Sequence, residues 1–263
     1  MGKYDAAMFR YLSDETRFAD LFNAAVFQGN EVLQADMLEN DSERYVAVEQ
    51  GKNVMQGRNY FRDIKKRMSN GNWLAITAIE NQELVDYVMP LRMMQYDMLE
   101  YEEQLRRLQG IKREKLKGNG IKENGWSTRM TEEDKLNPVY SLCLYHGVEE
   151  WKGPKSLKDM MNFEGASIKW QDLFHDYGMT LFCANAVTDF TIFKTGLRQL
   201  LQVLPYRKNK RKLWELWKKE EYKHLDYDTA EAIAIMTDAV GILERLDKYE
   251  TEEGYNMCQA MDE

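Results

Sequence analysis

Cysteine and histidine are scarce in this chain, with three of each in 263 residues. Cys143, Cys183 and Cys258 are odd in number and far apart. That excludes a disulfide framework and suits a reducing compartment, so a cytoplasmic location is expected. His146, His175 and His224 share no ligand spacing with each other or with the cysteines, so no zinc site is read from them. Each is taken as structural or solvated. A paired nucleophile and base is missing as well, which leaves covalent catalysis without support. No apolar run approaches the roughly 20 residues that span a bilayer, so no membrane partner is expected. The opening Met1-Gly2-Lys3-Tyr4-Asp5 lacks the apolar stretch of a secretory signal and does not lead into the myristoylation pattern. Internal repeats and low-complexity blocks are absent too.

What is present is ample material for a core: 44% hydrophobic and 12% aromatic residues, enough for one large domain or a domain with an appendage. The net charge of −8 disfavours nucleic acid globally, but the charge is unevenly spread. Between Gln104 and Glu123 seven basic residues oppose two acidic ones, and between Pro205 and His224 eight oppose three. Acid is concentrated from Asp226 onward. Because fields are screened within about 10 Å, a local basic patch binds phosphate whatever the global sign. Solvated helix faces account for such runs equally well.

Apolar periodicity predicts an amphipathic helix over Thr16 to Leu33. Tyr45-Val46-Ala47-Val48 reads as a short strand. A long helix is expected with Pro90 in its first turn and Leu91, Met94, Met98, Tyr101, Leu105 and Leu108 as its core stripe, ending in the basic stretch Lys115-Leu116-Lys117-Gly118-Asn119-Gly120. Pro138 to Tyr145 and Met179 to Ala184 are continuous apolar runs suited to buried strands. From Thr191 onward the chain reads as helical, with breaks near Pro205 and Gly254. The fold class expected is α/β or α+β, a sheet flanked by helices. Its division is a core over 1–190 and a helical C-terminal region over 191–263.

The segment Arg62 to Lys66, the polar turn Ser69-Asn70-Gly71-Asn72 and the run Trp73 to Ile79 read as a β-hairpin. With the turn centred on Gly71 and Asn72, Asp63 falls opposite Glu80, and alternation brings Gln82 to the same face. Two opposed carboxylates repel, so a divalent cation is one natural occupant. End-of-strand charges paired with nearby lysines are the other reading.

Arg62-Asp63-Ile64, Ile79-Glu80-Asn81-Gln82, Met89-Pro90-Leu91-Arg92, Tyr96-Asp97 and Tyr101 occur in this order, followed by Pro138-Val139, Leu144-Tyr145-His146-Gly147, Trp151 and Gly153-Pro154. This ordered set resembles the Rpn family, recombination-promoting nucleases also described as transposase-like nucleases of the PD-(D/E)XK superfamily. The resemblance runs from about Phe18 to near Asp226. It implies a restriction-endonuclease-like mixed sheet flanked by helices, acting on DNA with Mg²⁺ or another divalent cation. It assigns Asp63, Glu80 and Gln82 as catalytic residues, with Asp63, Glu80 and Asp20 as metal contacts. Gln82 stands where the wider superfamily usually has lysine, although glutamine is usual in this family. Arg62 replaces a proline, and Asn23 replaces a lysine frequent in relatives. Arg92 and the run Arg207, Lys208, Lys210, Arg211 and Lys212 are the candidate DNA contacts, and a homodimer is a candidate assembly. A catalytically inactive DNA-binding relative and a helical interaction protein are the competing readings.

Overall fold

The structure is a computed structural model that describes residues 3–40, 64–69, 71, 73–79, 86–122 and 127–259. It opens with a helix that the sequence reading did not anticipate, α1 (Lys3–Leu12), which buries Ala7, Met8, Tyr11 and Leu12. Helix α2 (Glu15–Phe27) follows, capped by Asp14, whose carboxylate accepts from the backbone N–H groups of Thr16 and Arg17. The expected continuation to Leu33 does not occur. Gln28 adopts a left-handed conformation and Gly29 follows at φ +85°, with its N–H returned to the Asn23 carbonyl at 2.9 Å. That is a left-handed helix terminus, and Gly29 also lies where a Cβ would come within 2.9 Å of Ile192.

A five-stranded mixed sheet forms the centre, in the order β1 (Leu38–Asn40), β2 (Ile64–Met68), β3 (Trp73–Ile79), β4 (Val139–Tyr145), β5 (Thr180–Cys183). The β1–β2 and β2–β3 pairs are antiparallel, while β3–β4 and β4–β5 are parallel. A parallel neighbour requires a long crossover. Helix α3 (Met89–Gly118) supplies it for β3 and β4, with Pro90 in its first turn.

Alternation along β4 divides the packing into two layers. Leu142 and Leu144 join the larger core with α1, α2 and the C-terminal helices, whereas Cys143 and Tyr145 join Met89, Met93, Tyr96 and Trp151 beneath α3. The larger core is continuous across position 190: Phe18 and Leu21 share it with Leu200, Trp217 and Ile233. The C-terminal elements include α5 (Leu197–Val203), α6 (Lys210–Trp217) and α7 (Tyr227–Met236), and the chain closes with the strand pair Glu250–Thr251 and Gly254–Tyr255.

Two further expectations are corrected. The stripe expected to face the core is not the most buried one: α3 buries Met89, Pro90, Met93, Tyr96 and Glu100, while Met94, Tyr101, Leu105 and Leu108 are half-buried and Leu91 and Met98 are exposed. The helix carries two apolar stripes, and the one meeting Cys143 and Tyr145 wins the sheet. The hairpin register also differs. Ile64 pairs with Ile76 and Arg67 with Trp73, three residues from the pairing that a turn centred on Gly71 and Asn72 requires. Met68 and Ser69 are drawn instead toward β1, through the pair Leu38↔Met68 and the Ser69 N–H to Met37 carbonyl bond of 2.9 Å. Gly71, at φ +90°, then closes a wider connection by donating to the Met68 carbonyl at 2.8 Å. Tyr45 to Val48 lie outside the described residues.

Candidate functional site

Strand β2 is fixed from both faces by lysines. Lys65 and Lys66, successive residues, point to opposite sides of the sheet, and both are buried. Lys65 pairs with Glu100 of α3, which is fully buried. Lys66 meets Glu15 at 2.8 Å and donates to the Ser13 carbonyl at 2.6 Å, with the Phe18 ring below its ammonium at 5.6 Å. These pairs tie the hairpin to α3 on one side and to the α1–α2 junction on the other. The sequence reading missed both lysines. Their signal is a run of three cations, Lys65, Lys66 and Arg67, between the apolar Ile64 and Met68, so that alternation must send at least one of them into a packed layer, where it needs an anion.

Asp63, Glu80 and Gln82 lie outside the described residues. One chain neighbour each of Asp63 and Glu80 is described: β2 begins at Ile64 and β3 ends at Ile79. In an antiparallel pair these two termini belong to the same end of the sheet, and the parallel strands β4 and β5 also finish there. His146 follows the end of β4; it is fully buried, with Asp5 at 3.7 Å as its near charged group.

Asp20 is described in full. It sits in α2, is 6% exposed, and accepts from the Lys194 N–H at 3.0 Å, the Thr195 N–H at 2.9 Å and the Thr195 hydroxyl at 2.6 Å. Both of its oxygens are thus directed at the turn that leads into α5. Asn23, one helical turn on, clamps Leu33: its carboxamide donates to the Leu33 carbonyl at 2.8 Å and accepts from the Leu33 N–H at 2.9 Å. A lysine there would leave both backbone groups without this partner.

Among the basic candidates, Arg92 is engaged locally, with Asp86 at 2.6 Å and the Tyr96 hydroxyl at 3.1 Å. Burial alone would lower its pKa, but the hydrogen bonds to Tyr96 and Asp86 hold it above the ordinary arginine value. Arg207 is buried, its guanidinium 5.2 Å from the centre of the Tyr4 ring. Lys208, Lys210, Arg211 and Lys212 are exposed, at the start of α6. Aromatic rings interleave with this cluster: Lys212 lies over Tyr206 at 4.8 Å and Lys218 over Trp214 at 3.0 Å. The basic stretch on α3 is partly neutralised along its own helix, Arg106 by Glu102 and Glu103, and Arg107 by Glu103.

A concavity lies at the other end of the sheet. An open groove of about 980 Å³ is walled by Phe22, Val26, Met68, Met98, Tyr101 and Tyr140, among others. Asp97 forms its polar floor and accepts from Ser141 and from the Tyr177 phenol. Burial, and then the bond to Asp97, push the Tyr177 pKa up.

Among the described residues, no group of three or more histidine, cysteine, aspartate or glutamate side chains is arranged to hold a metal, and no helix is long and apolar enough to cross a membrane. Comparisons with protein-family models, with curated proteins and with solved structures find no match for this chain.

Proposed function

We propose that the protein is a Mg²⁺-dependent DNA endonuclease that hydrolyses phosphodiester bonds in recombination or transposition, built on a restriction-endonuclease-like mixed sheet. The observation that carries this reading is the common end of β2 and β3. Asp63 immediately precedes β2 and Glu80 immediately follows β3, so the two carboxylates adjoin the same end of one antiparallel pair in the chain. Ligands of sheets with parallel strands commonly sit beyond the strand carboxyl ends, which is also where β3, β4 and β5 finish. The order of elements, three antiparallel strands and then a crossover helix to parallel strands, is compatible with the same core.

Asp63 and Glu80 would hold the metal. Two carboxylates are a hard-oxygen donor set that suits Mg²⁺, which commonly keeps several waters and takes only one or two protein carboxylates. When bound, the ion supplies Lewis-acid polarisation of a phosphate oxygen and a water of lowered pKa. Gln82 would orient a water or a metal-bound group, without contributing charge. Asp20 is left out of the metal set because its oxygens already serve residues 194 and 195. The ion pairs of Lys65 and Lys66 hold β2 in place beside this end of the sheet.

DNA binding without cleavage is the second reading. The exposed run Lys208, Lys210, Arg211 and Lys212 with its interleaved aromatic rings favours it, since such a surface tracks a phosphate backbone without reading bases. Nicking of supercoiled plasmid separates the two. Cleavage is expected with Mg²⁺ and is expected to be lost with a chelator and in Asp63→Ala and Glu80→Ala. Inert wild-type protein that still retards DNA at low salt would establish the second reading. Cleavage unchanged in both variants would remove the proposed centre.

A further inference from the structure

Between β4 and β5 the chain makes a protrusion whose tip is apolar. It is closed at its base by the Ser156↔Gly178 bridge, with the Leu157 N–H donating to the Tyr177 carbonyl at 3.0 Å and the Met179 N–H to the Lys155 carbonyl at 2.9 Å. Phe163 and Phe174 meet edge to face at 5.7 Å inside it. The short helix α4 (Ile168–Asp172) forms the tip. There Ile168 is 75% exposed, Trp170 69% and Leu173 66%. Three large apolar side chains so exposed and so close in sequence mark an interaction site rather than a scatter of surface residues.

The molecule also carries the matching concavity. The groove of about 980 Å³ is lined mainly by apolar side chains and opens to solvent, Val26, Met98 and Tyr140 being 43%, 52% and 50% exposed. Its methionines, Met68, Met94 and Met98, adapt to irregular guests. The charged residues that line it, Asp97 and Glu102, are both acidic. The tip presents Lys169 between Ile168 and Trp170, with Asp172 at the far end of its helix. Tyr177 and Gly178 belong both to the base of the protrusion and to the wall of the groove, so knob and hole are continuous on one side of the molecule. A single patch containing both is what a two-fold interface requires, because each subunit then gives its knob to the other's hole.

We propose that the occupant of the groove is the Ile168–Trp170–Leu173 tip of a second copy of this chain, exchanged reciprocally in a closed dimer. Each contact buries Trp170 with its two aliphatic neighbours and brings Lys169 to the acidic lining at Asp97, Glu102 being already met by Arg106. Two copies of the contact form at once, so the dimer closes and does not grow into a filament. The proposal is independent of the nuclease reading.

Molar mass by light scattering of the full chain tests it, at about 100 μM protein, where a Kd of roughly 1 μM leaves most chains paired. The wild type is expected at twice 31.1 kDa. The tip variant Ile168→Ser/Trp170→Ser/Leu173→Ser and the groove variant Val26→Lys/Met98→Lys are each expected to be monomeric. All five positions are exposed, so the circular dichroism spectrum should stay unchanged, and melting should fall only by the stabilisation that dimerisation gives the wild type. The decisive sample is the mixture of the two variants. One intact tip and one intact groove survive in the pair, so a heterodimer at least tenfold weaker than the wild-type dimer is expected, read as a rise in mean mass when the mixture is concentrated to about 1 mM. A monomeric wild type, including one captured instead by lipid vesicles, overturns the proposal. So does a wild-type dimer that both variants retain, or variants that stay monomeric when mixed.

Discussion

Replacing Asp20 tests whether its carboxylate holds a turn or a metal. Its two oxygens receive the Lys194 N–H, the Thr195 N–H and the Thr195 hydroxyl in a site that is 6% exposed. A hydrogen bond to a charged group contributes about 1.5–3 kcal/mol, so three donors set a gross value of roughly 5–9 kcal/mol. Removing the carboxylate also removes its own cost of leaving water, and Thr195 can turn its hydroxyl elsewhere. The two backbone N–H groups cannot. Leaving them without an acceptor costs about 1–3 kcal/mol each, which puts Asp20→Ala near 3 kcal/mol. At 2–4 °C per kcal/mol for a chain of this size, Tm should fall by roughly 6–12 °C. Asp20→Asn keeps one carbonyl for Thr195 and turns its amide toward the Lys194 N–H, so about 1 kcal/mol is expected. Urea unfolding and thermal melts of the three proteins, with and without Mg²⁺, give the answer. A cost below about 1 kcal/mol for Asp20→Ala refutes the turn-holding role. A Mg²⁺-dependent rise in wild-type Tm that vanishes in Asp20→Asn would make Asp20 a metal contact after all.

Two further perturbations read other joints of the same fold. A Cβ at Gly196 would lie 2.2 Å from the Thr229 hydroxyl, which is held by Asp226 at 2.6 Å and by Tyr11 at 2.8 Å, so the neighbour cannot yield cheaply. Gly196→Ala should cost about 1–3 kcal/mol in urea unfolding, and an unchanged midpoint would show that the α5–α7 junction is looser than its hydrogen bonds imply. Asp134 holds the loop after α3: Lys112, and then the Thr131 N–H and hydroxyl, pull its pKa down to about 2. A carboxyl depressed on folding contributes stability above its ordinary pKa and loses it as pH falls toward the folded value. Protection of α3 amides near Lys112 should therefore weaken between about pH 4 and pH 2 in hydrogen exchange. Asp134→Asn should already show weakened protection at neutral pH and lack that acid step; an identical step in the variant would assign it to other carboxyls.

The elements that proved legible in the sequence are those whose signal is local. Pro90 lies in the first turn of α3, the apolar runs become β4 and β5, and the long helix ends within the Lys115 to Gly120 stretch. What stayed hidden was decided by distant partners. Two apolar stripes on α3 are equivalent in sequence, and only contact with Cys143 and Tyr145 selects Met89, Met93 and Tyr96 over Leu91, Met94 and Met98. The hairpin register was lost for the same reason: β1, some thirty residues earlier, competes for Met68 and Ser69. Helix α2 stops at Phe27 because Gly29 packs against Ile192, far along the chain.

That displaced register changes what supports the candidate metal centre. A turn centred on Gly71 and Asn72 opposes Asp63 to Glu80, but the observed pairs lie three residues away, and an odd shift exchanges the faces of one strand relative to the other. Direct opposition across the ladder therefore cannot be the reason for the pair to share an ion. What remains is their common position at one end of β2 and β3, just beyond Ile64 and Ile79. A metal centre is better served by residues at strand ends than within a ladder, since there the backbone is free to turn a carboxylate toward a ligand. The firm part of the site is then the frame around it. Lys65 is buried against Glu100 and Lys66 against Glu15, and charges placed so deeply cost several kcal/mol each unless their partners stay in register. Sliding β2 by one residue in one direction would leave the buried Glu100 facing Ile64, and in the other would force the bulkier Arg67 into the fully buried place of Lys66. The two ion pairs thus fix the register that the turn sequence alone left ambiguous, and with it the point at which the chain enters β2 after Asp63.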